Sequence, residues 1–266
     1  MIRRMAWLSD IHWDRKGADD HLEHIETIQE TDPDAVILSG DIGEAPSFCD
    51  FLDYLYVKLN LPIYFVLGNH DFWHGSFEQV RAKACQISDD RTNLHYLSAL
   101  DVVPLSSTAC MIGDDGWGDG RAGDPHGAPD FPRDFSYIDD LVGLSRDNCF
   151  AKINALGDEA ACHLRDKLLR AFTSYHQVYL VTHVPPFPEA SLDSYRVCHQ
   201  HKLPFYCCAA LGSMILSVME DFPEHTLTVL CGHTHNECDL SVRDNLTIRV
   251  KEASYTGCHP PTILHI

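Results

Sequence analysis

Three features of the 266-residue sequence predict an α/β fold organised around a mixed β-sheet. Five apolar runs each lead straight into Asp, His or Asn, the pattern of buried strands that end at a functional rim. Strand-like and helix-like segments alternate early in the chain, as parallel pairing requires. Between residues 94 and 112, short strand-like segments follow one another without an intervening helix, so part of the sheet pairs as a meander.

In chain order, residues 2–9 form the first strand. Leu22, Ile25 and Ile28 recur at helical spacing between Asp19 and Glu30, and Asp32-Pro33-Asp34 stops that helix. The second strand begins at Ala35. Phe48, Phe51, Leu52, Leu55 and Leu59 share one face of a second helix, and Pro62 opens the strand leading to Gly68. A third helix covers Phe77 to Ile87, before short strands near 94–97, 102–105 and 109–112. Residues 113–135 read as an irregular loop, rich in Gly, Asp and Pro from Gly113 to Pro132. A substrate-facing role and a solvated excursion fit this loop about equally.

Gly157 to Phe172 reads as a helix and 177–182 as a strand, after which His183-Val184-Pro185-Pro186 forces an extended exit. Residues 187–208 are an irregular Cys- and His-rich insert. A helix over Leu211 to Met219, a strand at 226–231 and closing strands at 246–252 and 262–266 complete the chain. No repeat, low-complexity tract or linker interrupts it. The expectation is a single domain over 1–266, with loop 113–135 and insert 187–208 near the site.

The 39 acidic residues against 20 Lys and Arg leave a net charge of −19 with His neutral. Such a field repels phosphate backbones, so long nucleic acid is not an expected partner. No run has the apolar length of a membrane span, and the N-terminus lacks a signal-peptide shape, so no membrane partner and a cytoplasmic setting are expected. Eleven Cys, an odd number without a leader, read as reduced thiols. Cys198-His199-Gln200-His201 with Cys207-Cys208 is the densest cluster, but no CxxC pair frames it as a zinc site.

The five apolar runs end in Asp10-x-His12, Gly40-Asp41, Gly68-Asn69-His70-Asp71, Thr182-His183 and Gly232-His233-Thr234-His235. Asp, His and Asn are the side chains that bind borderline-hard divalent metals. In a strand-like segment residues two apart point the same way, so Asp10 with His12, and His233 with His235, are expected to aim at one cluster.

In type and order these five stretches, from Asp10 to His235, resemble the motifs of the calcineurin-like metallophosphoesterases. The resemblance implies a four-layer α-β-β-α sandwich with two divalent metal ions at the sheet ends. It implies that Asp10, His12 and His235 complete one site and Asn69, His183 and His233 the other, with Asp41 shared. Manganese, iron or zinc would suit this mixed oxygen and nitrogen set. Two such ions about 3.5–4 Å apart can bridge a hydroxide and clamp a phosphate. His70 is implied as the group that protonates the leaving alkoxide or orients the phosphate, which suits an imidazole titrating near neutrality.

The sequence departs from several branches of that superfamily. Its protein Ser/Thr phosphatases carry an Arg soon after the second-motif Asp, where this chain has Ile42-Gly43-Glu44-Ala45-Pro46. Its purple acid phosphatases place a Tyr three positions after that Asp, where Glu44 stands here. A phosphodiesterase for a small soluble substrate is the expectation, the missing Arg favouring the less charged diester; phosphomonoesterase and nuclease are the alternatives. A non-catalytic scaffold is disfavoured because His70 and all seven candidate ligands are present. Asp14, Asp71 and Glu44 are candidates to orient ligating imidazoles, solvated loop carboxylates being the preferred interpretation for Asp14 and Glu44.

Overall fold

A computed structural model describes residues 2–127 and 131–266. Strand β1 (Arg4–Leu8), helix α1 (Ala18–Glu30), β2 (Ala35–Ser39), α2 (Phe48–Leu59), β3 (Ile63–Val66), α3 (Phe77–Asp90) and β4 (Leu94–Tyr96) form the first half. Then come β5 (Val103–Pro104), β6 (Ala109–Gly113), α4 (Asp134–Tyr137), α5 (Arg146–Phe172) and β7 (Gln177–Val181). The chain closes with β8 (Leu192–Asp193), β9 (Arg196–Val197), α6 (Leu203–Tyr206), α7 (Ala209–Asp221), β10 (Thr226–Cys231), β11 (Cys238–Arg243), β12 (Leu246–Val250) and β13 (Thr262–His265).

The strands make two large sheets, ordered β13-β1-β2-β3-β4 and β11-β12-β10-β7-β6-β5. Within each, the central strands pair in parallel, while β13, β11 and β5 pair antiparallel at the edges. Side-chain alternation turns these sheets into the inner layers of a sandwich. On β1, β2 and β3, residues Met5, Trp7, Ile37, Tyr64 and Val66 point inward to meet Met111, Tyr179, Val181 and Leu230 of the other sheet. Their alternate neighbours Leu8, Val36, Leu38 and Phe65 face outward, onto α1, α2 and α3. Cys110, Ile112, Leu180 and Val229 do the same for α5 and α7. A strand buried on both faces needs hydrophobes at every position, which is why these runs are continuous rather than alternating. The layers are therefore helix, sheet, sheet, helix, the sandwich that the resemblance implied.

Three elements differ from expectation. Helix α5 has 27 residues and starts at Arg146, well before Gly157, because the Ser145 hydroxyl accepts the Asn148 N–H as an N-cap. Gly157, which suggested a start, is interior; a Cβ there would press on Asp119. Strand β11, with every second residue half-buried, was not foreseen and pairs with β12 as an edge hairpin. Insert 187–208 is partly ordered, into the β8–β9 hairpin and α6. Of loop 113–135, residues 128–130 lie outside the described residues, and α4 begins at its end.

One polar group is embedded beside the sheets. Lys167 on α5 is 1% exposed and donates to the carbonyls of Leu97, Ser98 and Gly113 at 2.8, 3.1 and 2.8 Å. It ties the exit of β4 in one sheet to the end of β6 in the other. Among the described residues no helix is long and apolar enough to cross a membrane.

Candidate dinuclear metal centre

The parallel strands β1, β2, β3, β7 and β10 all deliver their C-terminal ends to one edge of the sandwich, as open α/β sheets do. Asp10 and His12 follow β1, Asp41 follows β2, Asn69 and His70 follow β3, His183 follows β7, and His233 and His235 follow β10. All eight are brought together there.

Around Asp10, the Nε2 atom of His235 lies 3.2 Å from the carboxylate and 3.1 Å from Nε2 of His12. Around Asn69, its Oδ1 is 3.2 Å from His183 Nε2 and 3.0 Å from His233 Nδ1. Asp41 stands between the two groups: Oδ1 is 3.3 Å from His183 Nε2, and Oδ2 is 3.8 Å from His12 Nε2. Three triads, Asp10/His12/His235, His12/Asp41/His70 and Asp41/His183/His233, each have ligand atoms within 4.8 Å of one another. Such convergence of lone pairs on small voids fits two divalent cations. Two imidazoles are oriented from behind: His183 Nδ1–H donates to the Ser39 carbonyl at 2.8 Å, turning Nε2 toward Asn69 and Asp41, and His233 Nε2–H donates to the Phe205 carbonyl at 3.1 Å, turning Nδ1 toward Asn69.

The expectation that strand alternation aims these pairs is corrected by the backbone. The strands end at Leu8 and Cys231, before the ligands. Asp10, His12, Asp41, His233 and His235 instead lie in left-handed conformations, with φ of 52°, 48°, 51°, 72° and 58°. Each left-handed residue costs roughly 1–2 kcal/mol, least for short polar side chains. His233 and His235 consequently point to different groups, one to Asn69 and one to Asp10. Gly68 allows this crowding, because a Cβ there would collide with the Asp41 carboxylate.

Charge is balanced internally. Burial pushes Asp41 up, but His183 and His70 overrule it and hold the carboxylate well below its ordinary range. Burial likewise works against Asp10, and His235 overrules it downward. Burial opposes a proton on His183, yet Asp41 raises its pKa to about 10, whereas burial depresses His12 and His233 to about 3. The carboxylates thus favour a proton on His183, through Asp41, and Asp10 raises His235 in the same direction.

Asp71 is fully buried but touches no imidazole. Its two oxygens accept the Gly43 and Gly68 amides at 2.8 Å each, bracing the loops that carry Asp41 and Asn69. Asp14 is exposed and bonded to Ser47, and Glu44 lies 3.8 Å from Arg15 and 3.5 Å from His74, so neither orients a candidate ligand. Cys198 and Cys207 are buried against Ala122 and Leu203 in a small apolar cluster.

A cleft of about 390 Å3 opens over Asp41, Asn69 and His70. Its walls hold residues that no motif flagged. Arg15 lies 5.5 Å from the Trp73 ring and 5.0 Å from the Tyr255 ring, and Arg133 lines the same cleft. No Arg follows Asp41, but guanidiniums reach the cleft from the turn after His12 and from the 113–135 loop. Trp73 stacks on His70 with ring centroids 3.7 Å apart, Tyr206 packs on His233 at 4.6 Å, and Tyr255 packs on His12 and His235 at 4.6 and 4.7 Å. These contacts link positions far apart in sequence, and only the proximity of Trp73 to the Gly-Asn-His-Asp motif offered a hint.

The profile of the calcineurin-like phosphoesterase family matches residues 3–237. The chain belongs to that family, and with this centre it is a metal-dependent phosphoester hydrolase. Its fold is similar to the phosphopantetheinyl hydrolase of Mycobacterium tuberculosis, at 13% identity and TM-score 0.61 over 94% of this chain and 90% of that one. It is also similar to a dimetal phosphatase of Danio rerio, at 15% identity and TM-score 0.56 over 94% and 87%. A third similar structure, GAP50, described as the anchor in the inner membrane complex of Plasmodium, has 15% identity and TM-score 0.56 over 94% and 71%. At such identities the likeness concerns the fold alone. A search of curated proteins found no match.

Proposed function

We propose that this protein is a dinuclear metal-dependent phosphodiesterase acting on a small soluble substrate, through Asp10, His12 and His235 at one ion, Asn69, His183 and His233 at the other, and Asp41 between them. The observation that carries this is the placement of the two Asp41 oxygens, one toward His183 and the other toward His12. Manganese, iron or zinc ions bound there would supply Lewis-acid charge for the phosphoryl oxygens and a water of lowered pKa. The chain's own residues do the rest. Asp41 and Asp10 provide the negative charge that keeps two cations together, and the carbonyls of Ser39 and Phe205 fix the ligating nitrogens. His70, stacked on Trp73 with Nε2 3.9 Å from Asp41 Oδ2, faces the cleft and delivers a proton to the leaving oxygen.

A diester has two organic arms, and aromatic rings flank both ends of the centre: Tyr255 beside His12 and His235, Tyr206 beside His233. A cleft of about 390 Å3 is of the size that holds a small ligand. Arg15 and Arg133 favour a second reading, a phosphomonoesterase, since a dianionic ester gains more from two nearby guanidiniums. The net charge of −19 and the modest cleft weigh against long nucleic acid, and eleven unpaired thiols favour a reducing, cytoplasmic setting for this one domain.

The test is hydrolysis of bis-p-nitrophenyl phosphate against p-nitrophenyl phosphate after chelation and readdition of single metals. Diester turnover restored by manganese, zinc or iron is expected. Preference for the monoester would move the assignment to a phosphatase, and inactivity on both with metal bound would overturn hydrolysis of small esters.

A further inference from the structure

The carboxylate of Asp134 holds two unrelated parts of the centre at once. It is buried, 8% exposed, at the first turn of α4, which closes the 113–135 loop. One oxygen, Oδ1, accepts from Asn69 Nδ2 at 2.8 Å and from Trp73 Nε1 at 2.7 Å. An Asn amide carries its donor and acceptor on opposite arms, so binding the NH2 to Asp134 decides which way the carbonyl faces. That carbonyl, Oδ1, is the atom that meets His183 and His233. A flipped Asn69 would offer those imidazoles a donor and a metal nothing.

The other arm reaches His70. Its Nδ1 is buried and has no hydrogen-bond partner among the described residues. An imidazole without a carboxylate or carbonyl behind it keeps its plane only by packing. Its face stacks on Trp73 at 3.7 Å and 24°, with His12 set edge-on at 4.6 Å, and what stops the indole from sliding is its N–H bond to Asp134. Asp71, the nearest carboxylate in sequence, is spent on the Gly43 and Gly68 amides.

We propose that Asp134 is a positioning residue for both functions of the centre, setting the ligating face of Asn69 directly and the plane of His70 through Trp73. Its role rests on the dinuclear assignment above. The loop bearing Asp134 also bears Arg133 in the cleft wall, so the segment that meets the substrate is the one that aligns ligand and proton donor.

Asp134→Leu and Trp73→Phe separate the two arms, because leucine has no acceptor for Asn69 or Trp73, while phenylalanine keeps a ring for His70 but has no N–H for Asp134. Metal-free parent and variants, checked for folding by circular dichroism, are titrated with Mn2+. Turnover is then compared on bis-p-nitrophenyl phosphate and on diphenyl phosphate, whose poorer leaving group depends more on a proton donor. Asp134→Leu is expected to weaken Mn2+ binding about 10- to 100-fold, the usual effect of losing a ligand's hydrogen-bond partner. Both variants are expected to lose more kcat on diphenyl phosphate than on the nitrophenyl diester, Trp73→Phe with Mn2+ affinity retained. A folded Asp134→Leu that binds Mn2+ like the parent overturns the proposal, as does a Trp73→Phe that loses both substrates equally. Should Asp134→Leu not fold, Asp134→Ala, smaller and likewise without an acceptor, replaces it in the titration, and the Trp73→Phe ratio judges the His70 arm. A parent that cleaves no phosphate ester would refute the proposed function while the Mn2+ titration still judged Asp134.

Discussion

Asp41 meets His183 through Oδ1 at 3.3 Å and His12 through Oδ2 at 3.8 Å, so a single side chain faces both candidate cation sites. Asp41→Asn keeps the shape and removes the charge. It should abolish hydrolysis and reduce bound metal from two ions to one or none, read by elemental analysis of the purified protein. Two ions retained with full activity would show that the charge of Asp41 is not what holds them.

The proposed function sets His70 apart from its neighbours, although His12, Asp41 and His70 cluster closely enough to hold an ion. His70→Gln should retain both metals and lose about 10²- to 10⁴-fold in kcat, the usual worth of a positioned general acid. If the substitution strips a metal instead, His70 is a ligand and the division of roles is wrong.

His183 makes the metal-free protein sensitive to pH. Its folded pKa of about 10 lies above the ordinary 6.5, chiefly because Asp41 outweighs burial. A raised imidazole pKa stabilises the fold fully below about pH 6.5, and that contribution fades as pH climbs toward 10. The Tm of the chelated protein should therefore fall across that window. A divalent ion must displace the same proton, so Mn2+ affinity should rise with pH over the same range. His12 and His233, depressed to about 3, have no proton to give up there. Calorimetry with and without metal checks both signs.

Lys167 anchors the outer helix to both sheets through three carbonyls. Lys167→Met fills the volume but orphans those acceptors, each costing about 1–3 kcal/mol when buried without relief. A loss of roughly 3 kcal/mol is expected, or a fall of about 6–12 °C in Tm. A Tm within a degree of the parent would mean water replaces the ammonium without cost.

The sequence by itself determined the chemistry that could occur here. Buried strands demand continuous hydrophobes, so the points at which Asp10, Asp41, Asn69, His183 and His233 interrupt them stand out without any structure. Helix α2 is legible residue for residue because Phe48, Phe51, Leu52, Leu55 and Leu59 form one stripe. Only half of helix α5 is legible, because an interior glycine resembles a boundary, and β11 is not, because a half-exposed edge strand carries only weak alternation.

Tertiary structure decided how those side chains are aimed and what surrounds them. Left-handed turns, not strand alternation, direct five of the candidate ligands, and the close approach of Gly40 and Gly68 to Asp41 and His183 is visible only in the fold. Arg15, Arg133, Asp134, Tyr206 and Tyr255 gain their meaning only from contacts across the fold. Ligand identity is a property of single residues at strand ends. Orientation and substrate contact are properties of residue pairs that the chain brings together only when both sheets close.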